Sequence, residues 1–188
     1  MREFMKMIIL VVAALIASGC AIGGLPGETT QKVSEFDNAK EIHMQPAWVA
    51  DRINLGFYRT SKMEPDKAVM IVEVASYGNV VTPVFAAGKS LHFKIDGNIY
   101  SFESDGSSYK KEQRFSEFTK SYYTLDTQEY ATKRDFLKAL MMGKRVVIKV
   151  DLVGNKYEEG VFPDGGGYGG QYTVRPNLAN FYKQAFGN

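Results

Sequence analysis

"SLHFKIDGNIYSFES", residues 90–104, is the stretch on which the fold turns. Leu91, Phe93 and Ile95 alternate with Ser90, His92 and Lys94, so in an extended chain the three apolar side chains share one face. Asp96-Gly97 follows, a pair that accepts the positive φ angles of a tight turn, and Tyr100 and Phe102 resume on the far side. The stretch reads as an antiparallel hairpin with one apolar face and one polar face.

Outward from it, similar runs recur in both directions. Ile42 and Met44 alternate with polar neighbours ahead of Pro46, and Leu55, Phe57 and Arg59 lie in a second run. "AVMIVEVA", residues 68–75, is nearly continuously apolar over one strand length, as befits a central strand buried on both faces. "SDGSSYKKEQR", residues 104–114, is polar and reads as an exposed loop, after which "FTKSYYTL" returns as a strand. Val146, Ile148, Val150 and Leu152 alternate up to Gly154-Asn155, and the chain comes back through Tyr157 and Val161 as a second hairpin. Between the hairpins, "TKRDFLKALMMGKR" has helical spacing. Phe136, Leu137, Leu140 and Met141 share a face, Thr132 and Asp135 form a capping box, and Gly143 is the stop. "RPNLANFYKQAFGN" closes the chain with Pro176 in a first turn and Leu178, Phe181, Tyr182 and Ala185 at helical spacing. No internal repeat suggests a solenoid or propeller. The sum predicts an α+β fold: a mainly antiparallel β-sheet, a sandwich or half-barrel, with a helix near 132–142 and a C-terminal helix near 176–186.

A chain of 188 residues, 45% hydrophobic and without blocks of like charge, suits one domain plus a leader and needs no staple to hold its core. Lys and Arg number 23 against 21 Asp and Glu, which leaves no electrostatic footprint for nucleic acid. The single cysteine excludes an intramolecular disulfide.

That cysteine ends the leader. "MREFMK" is a short basic start, Met7 to Ala17 is an uncharged apolar run of 11 residues, and Ala17, Ser18 and Gly19 are small. A membrane-crossing helix needs about 20 apolar residues, so the run fits a signal peptide instead. Ala17-Ser18-Gly19-Cys20 resembles the lipobox of bacterial lipoproteins, with Ala17 where the family most often has Leu. The resemblance covers only about the first 20 residues. It implies cleavage after Ser18-Gly19, a diacylglycerol on the Cys20 thiol, and often a further acyl chain such as palmitate on the new amino terminus. Ala21 in place of Asp implies, in a Gram-negative host, the outer membrane, facing the periplasm or the surface. The expected organisation is therefore 1–19 signal peptide, 20–39 lipidated tether and 40–188 a single globular β-rich domain. The tether contains three glycines and a proline, with a span on the order of 25 Å as a flexible coil.

The inventory for catalysis is thin. With Cys20 acylated no thiol remains, and the two imidazoles, His43 and His92, stand 49 positions apart. Each sits between apolar neighbours on the opposite face of a strand, where a solvated or sheet-packed histidine is expected. No G-x-S-x-G elbow or zinc-spaced histidine pair occurs, and Glu158 and Glu159 would point to opposite faces of their strand. The reading is a membrane-anchored envelope lipoprotein acting as a non-catalytic binding or assembly module, with no cofactor or metal. Its expected partners are the membrane, through the lipid, and an envelope protein or the cell wall. An envelope enzyme working on peptidoglycan, lipid or carbohydrate through acidic residues, or an apolar-ligand carrier, is the alternative. The candidate binding surfaces are Tyr122 and the glycine-rich "DGGGYGGQY" with Asp164, Tyr168 and Tyr172, since rigid tyrosine rings cover much surface at small entropic cost.

Overall fold

A computed structural model describes residues 25–77, 85–104, 108–116, 119–163 and 173–187. Ser18, Gly19, Cys20, Asp164, Tyr168 and Tyr172 lie outside the described residues. In chain order the elements are β1 (Thr29–Val33), β2 (Lys40–Ala50), β3 (Ile53–Thr60), β4 (Lys67–Tyr77), β5 (Lys89–Ile95), β6 (Asn98–Glu103), β7 (Lys110–Ser116), β8 (Ser121–Lys133), α1 (Arg134–Met142), β9 (Val146–Leu152), β10 (Lys156–Val161) and α2 (Val174–Phe186). They form two antiparallel sheets, one in the order β1-β2-β3-β4-β8-β7 and one in the order β10-β9-β5-β6. This is the expected α+β architecture, with the larger sheet curled as a half-barrel and both helices where the spacing put them.

The hairpin at 90–104 forms as its pattern dictates. Asp96 and Gly97 take φ of 48° and 94°, and Leu91, Phe93 and Ile95 are buried. The second hairpin turns at Gly154 and Asn155, φ 80° and 58°. Its β9 lies beside β5, Phe93 facing Ile148 and Leu91 facing Val150, so the two apolar faces become one. In the larger sheet β4 lies between β3 and β8. Met70, Val72 and Val74 are wholly buried on one face, and Glu73 and Ala75 are nearly so on the other.

One apolar cluster draws on both sheets and both helices. Phe93 is ringed by Phe136 at 5.1 Å, Phe102 at 5.9 Å and Phe162 at 6.2 Å, and Phe181 of α2 reaches Phe57 at 5.6 Å. Each such buried side chain contributes about 1.5–3 kcal/mol of transfer free energy. The sheets meet where Ala50 at the end of β2 packs on Gly160 of β10, and a Cβ on Gly160 would lie 1.9 Å from that of Ala50.

Several expectations are corrected. Residues 29–33, read as part of a tether, are an edge strand running from the Thr29–Met44 pair to Val33–Lys40. The chain is fixed before that, by Gly27 N–H donating to the Gln45 carbonyl and Gln45 N–H to that of Glu28. Residues 110–114, read as the end of a loop, belong with Phe115 and Ser116 to the other edge strand. Both edges are almost wholly exposed, so neither carries the apolar alternation by which a strand announces itself. The capping box does not form: Thr132 is still in β8, and Lys133 stands at the N-cap without a side-chain hydrogen bond. Gly143 does stop α1, in an extended conformation. Glycine is needed there for space, since a Cβ would lie 2.5 Å from Ile95 Cγ2. Pro46 lies within β2, where a bulge between Met44 and Ala47 absorbs it opposite Gly56. No helix among the described residues is long and apolar enough to cross a membrane.

Candidate functional site

The alternation that sends Phe93 and Ile148 inward sends their neighbours outward, onto the open face of the four-stranded sheet. Register lines up Ser101, His92, Lys149 and Glu159 across all four strands. The adjoining row is Ile99, Lys94, Val147 and Val161. With Arg145 and Asp96 at one end and Asp151 at the other, most of these side chains line an open cleft of about 750 Å³.

Asp151 organises the charged row. Its Oδ1 accepts a hydrogen bond from Lys149 Nζ at 2.7 Å, and its Oδ2 lies 3.0 Å from His92 Nε2. Partial burial alone would push the Asp151 carboxyl up, but the bonds from Lys149 and His92 outweigh it and hold the group below the usual carboxylate range. An ionised Asp151 accepts only, so in the neutral ring Nε2 carries the proton and Nδ1 accepts from the Ser101 hydroxyl, 2.9 Å away. The Lys149 ammonium also lies 5.1 Å from the centre of the Tyr157 ring. Asp96 serves the backbone instead. It accepts the N–H of Arg145 at 2.8 Å and of Lys144 at 3.0 Å, bonds that hold its carboxyl low and tie the β5–β6 turn to the start of β9.

Chemically, the face offers two things. Ser101, His92 and Asp151 form a relay in which an imidazole can take a proton from a hydroxyl, with Nδ1 on the serine side. Beside it stand Ile99, 72% exposed, and Val161 and Tyr157, both also more than half exposed. Along one row of this face three of the four side chains are apolar, Lys94 being the exception, and the next row is charge-paired through Asp151.

Tyr122 is exposed and lies directly opposite Phe115 of β7, the rings edge-on at 5.1 Å and 63°. Tyr77 and Tyr123 stack at 5.6 Å on the other face of the same end of the sheet. Glu158 and Glu159 diverge as their alternation requires: Glu158 pairs with Arg52 at 3.3 Å, and Glu159 lines the cleft. His43, on the other sheet, packs its ring on Tyr58 at 4.3 Å, and burial pushes its pKa down.

Ser101, Lys149 and Asp151 were not singled out by the sequence. Their signal is there in the alternation, but it needs the pairing of β5 with β9, and nothing local sets that register.

The inward face of β8 is polar as well. Asp126 is fully buried; its Oδ1 accepts from the Tyr109 hydroxyl, its Oδ2 has no partner among the described residues, and burial pushes its pKa up. Gln128 Nε2 donates to Ser108 Oγ at 2.8 Å, and Tyr130, its pKa pushed up to about 12 by burial, bonds Ser90 at 2.8 Å. No group of three His, Cys, Asp or Glu suited to a metal ion occurs among the described residues. No protein-family model matches the chain, and no curated protein matches it either.

Proposed function

We propose that this chain is a lipid-anchored envelope protein whose domain is a non-catalytic binding or assembly module, engaging an envelope protein or cell-wall partner through the outer face of the β10-β9-β5-β6 sheet. One observation carries the reading: Ile99, Val147 and Val161 lie in one row across that face, interrupted by Lys94 alone, beside charges that Asp151 already pairs. Covering the row removes apolar surface from water at about 25 cal/mol per Å², and the paired charges need little rearrangement to accept a partner. The leader, with Cys20 after Ala17-Ser18-Gly19, supports the location. The test is affinity isolation of the full-length chain from its membrane. A partner recovered with the native protein is lost when Ile99→Asp and Val161→Asp are introduced together. Undiminished recovery with a correctly folded double variant contradicts the assignment of this face.

A second reading, a hydrolytic enzyme, rests on the Ser101–His92–Asp151 relay. It requires turnover of an ester or amide by the purified chain that Ser101→Ala abolishes. Such a result would displace the binding reading.

A further inference from the structure

We propose that the end of the domain bearing Leu25, Trp48, Lys144, Arg145 and Arg175 lies flat against the bilayer, on anionic lipid headgroups. The inference rests on the reading of Cys20 as the lipidated residue. Five residue steps separate Cys20 from Leu25, and even a fully extended chain covers at most about 18 Å over them. A domain of this size is about 40 Å across, so the end that receives the chain is held toward the membrane and the opposite end is held away from it. A long tether would have left the orientation open; the incorporation of β1 into the sheet removes that freedom.

The residues gathered at that end suit the position. Gly27 lies against Asn177 of α2, close enough that a Cβ on it would meet the amide at 2.2 Å. Two residues before Asn177, Arg175 donates to the Lys144 carbonyl at 3.4 Å, and Arg145 follows directly. On the β2 side, Gln45 holds Gly27, and Trp48 bridges to Thr173 at the start of α2. Trp48 is 44% exposed and Leu25 64%, while Lys144 and Arg145 are exposed. Tryptophan beside lysine and arginine is the composition of a membrane-water boundary, where the ring rests among headgroups and the cations meet lipid phosphates. Two carboxylates at that end, Glu28 and Asp96, are each engaged by backbone N–H groups.

Trp48 is the only tryptophan in the chain and so reports on this surface without labelling. The full-length protein, its amino terminus checked by intact mass, is placed in vesicles of phosphatidylethanolamine and phosphatidylglycerol, with and without bromine on the upper acyl chains. The expected result is a blue-shifted Trp48 emission that brominated lipid cuts by about half or more. Lys144→Glu should reduce that quenching with the anchor still in place. Equal emission in brominated and plain vesicles, with the lipid present on Cys20, overturns the orientation and leaves the anchor standing. An unmodified Cys20 overturns both.

Discussion

Two aspartates in this chain respond to pH with opposite signs. Asp126 is buried, one of its oxygens without a partner among the described residues, and burial raises its folded-state pKa above the unfolded value. A group raised in this way stabilises fully below its unfolded pKa and loses that contribution as pH rises through the folded pKa, so the ionised carboxylate is a burden at neutral pH. Asp126→Asn is expected to unfold at higher urea than the native protein at pH 7, with the difference closing on acidification. A variant less stable at neutral pH would contradict this. Asp96 is the reverse case: the N–H groups of Arg145 and Lys144 hold its pKa below the unfolded value. Its contribution is present above about pH 4, the ordinary aspartate range, and is lost as pH falls through the folded value. Asp96→Asn, which tolerates the φ of 48° at this position, should therefore lower the urea midpoint at pH 7 with the gap narrowing toward pH 2, and a gap of equal size at both pH values would refute the assignment. The Asp96 turn is legible in the sequence because turn chemistry is local. The burial of Asp126 is not, for it depends on which face of β8 the rest of the molecule covers.

Among the elements, legibility followed apolar periodicity. β4, the β5–β6 hairpin, β9 and both helices carry it and were readable; β1 and β7 are exposed edges made mostly of polar and charged residues, with Val33 and Phe115 isolated among them, and were not. Glycine was ambiguous for a related reason, since in Gly143 and Gly160 it answers to a neighbour distant in sequence and not to its own turn. Gly160→Ala presses a methyl into Ala50 where β10 meets the end of β2, and is expected to cost about 1–3 kcal/mol, read as a lower urea midpoint. Pairing it with Ala50→Gly should restore most of the loss, and failure of that rescue would show that the sheets are not held at this contact. Phe93→Ala, which empties the centre of the ring formed by Phe102, Phe136 and Phe162, is expected to cost about 3–5 kcal/mol in the same measurement. A loss below about 1 kcal/mol would mean that the site collapses around the gap.

At the scale of the molecule, the two hairpins were visible one by one, and their union was not. β5 and β9 lie on either side of β6, β7, β8 and α1 in sequence, and their pairing brings Ser101, His92, Lys149 and Glu159 into one row. The face proposed for binding is thus a product of topology, assembled from side chains that alternation alone leaves looking like an ordinary solvated surface. The domain is read as held at the membrane by its chain-receiving end, with this sheet face open to a partner. The most direct test is photocrosslinking in living cells, with the photoreactive residue at Ile99 in one full-length protein and at Ile71, on the outward face of the larger sheet, in another. The account predicts a dominant adduct from position 99 that position 71 does not give. Adducts of equal strength from both, or from position 71 alone, would contradict it.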